Sequence, residues 1–337
     1  MARSRVVVLA AVAVVVVGIC AALGALFLDP ARAAVGPLPP EGMVLLPQAR
    51  FVMGLDVRRF ADSTFYRRYA APGSATRPQP FKDLEERTGL NPERDLDQVF
   101  LAGGSDVKQG GTLLALGRFD RYKLGRAIEN GKKGVTWRSL QGTTLYLFNE
   151  GADRPGALAF LDDHSLVLGQ RATVEAAIAS RSGGPAPHAD AGMMELLGRV
   201  TPGSTFWMVG DQSLLANIPR GIPAPGSPAS GSGSSAASLT LPALRSLVVS
   251  GDLDPVVALT ITGDAADEAA AKNLADIVRG LIAVASLQAA QKPELQQLAS
   301  AVSVTTEASQ VHVNARFPYA LLDALGPKRS PAPPPVH

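Results

Sequence analysis

The sequence predicts an α+β protein in which two similar antiparallel-sheet-plus-helix units follow an N-terminal transmembrane or signal helix. Three observations predict it. Residues 6–28 carry no charge. Apolar runs of strand length then come in pairs across Gly, Asp and Asn turns, with single amphipathic helices between them. This order of elements occurs twice, over residues 50–180 and 204–325. Hairpins separated by helices favour antiparallel sheets that carry helices on one face.

The apolar run is long enough, at about 1.5 Å per residue, to cross a hydrocarbon core about 30 Å thick. Arg3 and Arg5 precede it and Asp29-Pro30 follow it. The positive charge before the helix holds residues 1–5 in the cytoplasm as an n-region and sends the chain beyond residue 30 outward. Nucleic acid is excluded as a partner by that compartment. Ala31-Arg32-Ala33 matches the small-x-small pattern of a signal peptidase site, so retention as an anchor and cleavage before Ala34 are alternatives. Cys20, the single cysteine, follows the bulky Ile19 where a lipoprotein signal needs a small residue. It also leaves the chain without an intramolecular disulfide, so stability rests on the core.

An apolar fraction of 46% with 18% charged residues is the composition of a folded globule. Pro-, Gly-, Ser- and Ala-rich punctuation divides it into a linker at 29–40, a first unit at 41–185, a second at 186–326 and a tail at 327–337. Residues 71–80 read as a loop, and residues 219–238 as a disordered loop inside the second unit.

Residues 50–56 alternate as a half-buried strand, and 57–69 repeat at three and four residues as a helix with Arg58, Arg59 and Arg67 outward. A helix over 81–88 ends at Gly89, and Asn91-Pro92 turns the chain. Residues 96–102 and 112–117 form a hairpin. Asp120 caps a helix to Asn130. Strands follow at 135–140, 143–148, 156–161 and 165–168, then a helix at 173–180. The second unit runs as a strand at 204–210, a short helix at 212–218, the loop, and a hairpin at 247–253 and 256–262. After Asp264 as cap, a long helix spans 265–290 with Leu274, Ile277, Leu281 and Val284 as its apolar stripe. Pro293 starts another helix, followed by a hairpin at 301–305 and 310–315 and a helix at 318–325.

Catalytic chemistry has little to build on. His164, His188, His312 and His337 fall in a turn, a linker, a strand and the tail, with no ligand spacing between any two. There is no Gly-x-Ser-x-Gly, and Gly103-Gly104 and Gly231-Ser232-Gly233 lack the setting of a phosphate loop. The carboxylate pairs Asp95/Asp97, Asp162/Asp163 and Asp252/Asp254 abut strand ends, where Asp serves backbone hydrogen bonds. The reading is therefore no enzyme, no metal and no cofactor. Charge is the least ordinary feature: Arg118, Arg121, Lys123, Arg126, Lys132, Lys133 and Arg138 stand against Asp120 and Glu129 alone, a net of +5. Residues 41–185 hold 20 basic and 17 acidic groups, net +3, and residues 186–325 hold 7 and 12, net −5. The seven cations form a candidate contact for anionic lipid or wall polymer, with a solvated helix face as the alternative.

Leu46-Pro47-Gln48-Ala49-Arg50 leading a strand, Thr88-Gly89-Leu90-Asn91-Pro92-Glu93-Arg94-Asp95 before the next, and Leu168-Gly169 before a helix resemble the pattern of uncharacterised bacterial membrane-anchored envelope proteins with duplicated α+β units. The likeness spans most of residues 41–185 and is partial beyond. It implies an envelope location and this fold, and it brings no functional residue.

These features point to a non-catalytic, membrane-tethered extracytoplasmic binding or scaffold protein of the cell envelope. Its contacts are the membrane through residues 6–28 and another envelope protein or an anionic polymer. The alternative is a carrier of an apolar ligand such as a lipid. Fractionation tests the tether: an intact N-terminal segment in the membrane fraction is expected, and a soluble product beginning at Ala34 refutes retention.

Overall fold

The computed structural model describes residues 38–45, 47, 49–69, 85, 86, 88–104, 111–131, 134–148, 155–183, 190–215, 221–223, 238–240, 243–288 and 293–325. The anchor segment, Cys20, residues 71–80 and the tail lie outside them. Among the described residues no helix is long and apolar enough to cross a membrane.

The fold is α+β, built on one continuous antiparallel sheet of twelve strands. After a 3₁₀ turn (Pro40–Leu45) come β1 (Phe51–Asp56), α1 (Val57–Asp62), α2 (Thr64–Tyr69), α3 (Pro92–Asp95), β2 (Leu96–Gly103), β3 (Gly111–Gly117) and α4 (Arg121–Gly131). The hairpins β4 (Thr136–Leu140) with β5 (Thr143–Phe148), and β6 (Gly156–Phe160) with β7 (Ser165–Gln170), lead into α5 (Arg171–Arg181) and α6 (Ala191–Gly198). The remainder is β8 (Phe206–Asp211), α7 (Gln212–Leu215), β9 (Gly221–Pro223), β10 (Ser238–Thr240), β11 (Leu244–Asp252), β12 (Val257–Ala265), α8 (Glu268–Gln288), α9 (Pro293–Ser300), β13 (Val302–Glu307), β14 (Gln310–Phe317) and α10 (Tyr319–Leu325). Across the sheet the order is β13-β14-β12-β11-β8-β1-β2-β3-β7-β6-β5-β4.

Helices cover both faces, where the sequence suggested one. Successive strand residues point to opposite sides, and both sides are buried. On face A, Val52, Phe100, Leu114, Leu145, Val167 and Val248 pack with Val174 and Ile178 of α5 and Met193, Leu196 and Leu197 of α6. On face B, Leu124 of α4 meets Tyr146 and Phe160. Farther along face B, Leu298 of α9 and Leu321 of α10 meet Val249, Leu259 and Phe317, and Ala271, Leu274 and Ala275 of α8 cover Val311. An alternating strand pattern cannot tell a solvated second face from one covered by a distant helix, because small and polar residues line both.

Other boundaries moved for local reasons. The helix expected over 57–69 breaks at Ser63, whose hydroxyl donates to Phe60 O at 2.6 Å and accepts from Tyr66 N at 3.0 Å, ending α1 and opening α2. Asp264 is not the cap of α8; it lies on β12, and Asp267 accepts from Ala270 N at 2.7 Å instead. Helix α6, unforeseen, starts at Asp190, which accepts from Gly192 N at 2.8 Å. Within the span read as a disordered loop, Gly221–Pro223 pairs with Ser238–Thr240 in a separate small sheet; residues 224–237 lie outside the described set.

The two halves meet where β1 pairs antiparallel with β8, Met53 opposite Met208. FVMGLD of β1 set on FWMVGD of β8 matches Phe51 with Phe206, Met53 with Met208 and Asp56 with Asp211. Asp56 accepts from Arg59 N at 2.6 Å and Asp211 from Ser213 N at 2.7 Å, each opening the following helix. The β2–β3 ladder slips between Leu96 and Gln98, and the β11–β12 ladder between Leu244 and Ser246. Gly103 lies under the Phe51 ring and Gly251 under the Phe206 ring, so a methyl at either glycine overlaps the aromatic carbons.

Gly103→Ala and Gly251→Ala are each expected to lose about 1–3 kcal/mol through overpacking. Gly280→Ala, in the middle of α8 with open space around it, should gain about 0.5–1 kcal/mol. Urea denaturation of the three variants checks the signs.

Candidate functional site

The two ladder slips set the sites. Each bulge bends its strand locally, and a cleft opens beside the first residue pair beyond it. Gln98 opposite Leu116 borders a cleft of about 320 Å³; Ser246 opposite Asp264 borders one of about 260 Å³.

The Ser246 cleft lies between α6 and strands β8, β11 and β12, and Asp190, Glu195, Arg199, Asp211, Arg245 and Asp264 supply its charge. Arg199 clamps Asp264 with both nitrogens, at 2.7 and 3.1 Å. Gln310 Nε2 donates to the same carboxylate at 2.8 Å, and the Ser246 hydroxyl also donates to it. Burial acts to raise the Asp264 pKa, but the hydrogen bonds from Arg199 and Ser246, the Arg199 charge and the Gln310 amide outweigh it and hold the carboxyl below its ordinary range. Arg50 Nη1 donates to Asp211 at 3.1 Å and lies 3.7 Å from Asp190.

In the Gln98 cleft, Asp162 accepts from His164 N and Ser165 Oγ, both at 2.7 Å, and pairs with Arg181. Here too burial is outweighed by these bonds, and the Asp162 pKa is lowered. His164 Nδ1 lies 2.9 Å from the Gly117 carbonyl, which makes that nitrogen the donor. Bulged Asp97 pairs with Arg58. Both clefts are open and charge-lined, and their carboxylates hold backbone and arginine. Such a surface can recognise polar groups; its serine hydroxyls, Ser165 and Ser246, each donate to a carboxylate that is itself held by an arginine.

The remaining candidates behave similarly. Asp95 accepts from Asn91 N at 2.9 Å and pairs with Arg94. Asp252 accepts from Thr205 Oγ1 at 2.7 Å, and Asp254 from Thr64 N at 3.1 Å. His312 Nδ1 lies 3.1 Å from Thr262 Oγ1, while His188 and His337 lie outside the described residues. Among the described residues no three His, Cys, Asp or Glu side chains group as a metal ion requires.

The sheet divides the described cations among the seven. Arg138 stands opposite Leu145, a face A core residue, and pairs with Glu175 of α5. Arg121, Lys123 and Arg126 belong to α4 on face B. Arg121 pairs with Asp163 at 2.6 Å, and Arg126 donates to Tyr122 Oη at 3.1 Å with its guanidinium over that ring. Arg118 donates to Arg94 O at 3.1 Å. Lys132 and Lys133 lie outside the described residues. Two aromatics escaped the sequence reading: Tyr122 on α4 is 74% exposed and Trp137 on β4 is 63% exposed. Alternation marks the two sides of β4 but cannot say that β4 ends the sheet, and that end position leaves Trp137 in solvent.

No family model matches the chain, and no curated protein matches it. Among solved structures, one described as crystal form IV of TP0453 aligns over 86% of this chain and 96% of that chain, at 10% identity and a TM-score of 0.44. That likeness is too distant to bear on fold or role.

Asp264→Asn leaves Arg199 half-buried without its countercharge and should cost about 1–3 kcal/mol. The folded pKa of Asp264 is depressed, so its contribution is complete above the unfolded value near 4 and is lost as pH falls through the lower folded value. Urea midpoints of wild type and variant should therefore differ at neutral pH and converge as the pH falls below the unfolded value and through the lower folded one.

Proposed function

We propose that this chain is a non-catalytic, membrane-tethered extracytoplasmic binding or scaffold protein of the cell envelope. The observation that carries the proposal is the uncharged run of residues 6–28, flanked by arginines before and Asp-Pro after. The clefts support it, because Asp162, Asp190, Asp211 and Asp264 within them hold arginines or backbone donors. The filled centre of the sheet supports it too: Trp207, Phe100, Leu114 and Leu145 are all but inaccessible, so surfaces are what the described part offers a partner.

The repeated bulge, the repeated aromatic–glycine contact and the matched strands β1 and β8 support a further reading, that the two halves are duplicated units joined along β1 and β8. The first half then carries an added hairpin, β4–β5, at its outer edge.

Two measurements on purified full-length chain separate the binding reading from the carrier reading. Solvent extraction followed by mass spectrometry should recover no stoichiometric lipid. Affinity capture from solubilised membranes, with photo-crosslinkers placed at several sheet positions, should return the same envelope protein from independent positions. Stoichiometric lipid refutes the scaffold in favour of the carrier.

A further inference from the structure

Trp137 and Tyr146 stand opposite each other in the β4–β5 ladder and so point to the same face. The Tyr146 hydroxyl abuts Gly125 of α4. Tyr122 precedes Gly125 by three residues and Arg126 follows it. Trp137, Tyr122 and Arg126 therefore share face B at the outer edge of the sheet, where β4 is paired on one side only. Both aromatics are mostly in solvent. A large exposed tryptophan and tyrosine beside cations have the composition of a membrane-interface contact, in which the ring enters the headgroup layer and the cation meets lipid phosphate.

The acidic groups nearby are few. Asp163 is occupied by Arg121, and Asp120 accepts from Lys123 N at 3.0 Å as the helix cap, which leaves Glu129 on α4. Among the described residues Lys123 and Arg126 form no ion pair with a carboxylate, and residues 186–325 carry a net −5, so of the two ends of the sheet this one suits an anionic surface better.

We propose that the β4–α4 edge docks on a bilayer containing anionic lipid, with Trp137 and Tyr122 in the interface and Lys123 and Arg126 at the headgroups. This rests on the membrane-tethered reading and adds the orientation: the sheet lies with its β4 end on the membrane and its β13 end away from it.

The chain has two tryptophans, and Trp207 is 2% exposed, so the response of fluorescence to added quenchers reports Trp137. Full-length protein is mixed with phosphatidylcholine vesicles, with or without phosphatidylglycerol, some carrying brominated acyl chains. With phosphatidylglycerol, Trp137 emission should shift to the blue, be quenched by the brominated lipid and become protected from acrylamide. Phosphatidylcholine alone or high salt should weaken all three effects, and Trp137→Phe should abolish them. Lys123→Gln and Arg126→Gln should each weaken the response about fivefold, the effect of one surface cation; both side chains are exposed, so circular dichroism should be unchanged.

If the chain sediments with vesicles while Trp137 stays open to acrylamide, the tether stands and the docking falls; a protein partner at this edge gives the same result. If Trp137 responds while the chain fractionates as a soluble protein in cells, the docking stands and the tether falls. No response with a chain that stays in the supernatant overturns both.

Discussion

The pairing of β1 with β8 is the constraint on which the rest depends. Without it the sheet has two further open edges and the face A core is cut in half. The seam is fitted tightly: Gly54 stands opposite Trp207, and a methyl at Gly54 would fall 2.6 Å from the indole, so the glycine lets the largest side chain of the core sit across the join. Trp207 then reaches Phe100 of β2, with ring centroids 6.2 Å apart, and couples β8 to a strand it does not pair with.

Helices reinforce the seam by crossing it. α1 and α2 belong by sequence to the first half, yet Phe60, Phe65 and Tyr69 pack into the face B core of the second half. Arg59 pairs with Asp252, and Asp254 caps Thr64. Tyr69 donates to Asp323 at 2.6 Å; burial and that carboxylate push its pKa up to about 12, so it remains a donor across the ordinary pH range. Tyr319 in turn donates to the Leu253 carbonyl beneath it. The second half, cut out alone, would lose the part of its face B cover that α1 and α2 supply. The sheet is therefore one cooperative body, in spite of the change in charge sign between residues 41–185 and 186–325.

Much of this was legible in the sequence where a local signal sufficed. The strand β5 lies at its expected bounds, because Gln141-Gly142 forces the turn with positive φ at both residues. Asp120 caps α4 as expected, since the cap lies next to what it caps. What was not legible depends on partners remote in sequence. Asp264 has the spacing of a helix cap but is claimed by Arg199, Ser246 and Gln310. The basic run looks like one surface in sequence and lies on two faces in space, because Arg138 stands across from Leu145. The clefts depend on a slip of one ladder against another, which leaves no mark in composition. The exposure of Trp137 depends on β4 being last in a strand order that the sequence does not encode locally.

Rigidity and polarity together set how the protein can be used. Twelve strands at about 4.8 Å apart make a plate on the order of 50 Å wide, with helices pinned to both faces and aromatic rings wedged on glycines near the seam. The clefts at the two bulges belong to strands on either side of that seam and are held by the same sheet, so neither can move far without the other. The basic aromatic edge closes one end, and the hairpin β13–β14, carrying polar Ser303, Thr305, His312 and Asn314 on one side, closes the other. A plate of this kind keeps the two ends of the sheet at a fixed separation.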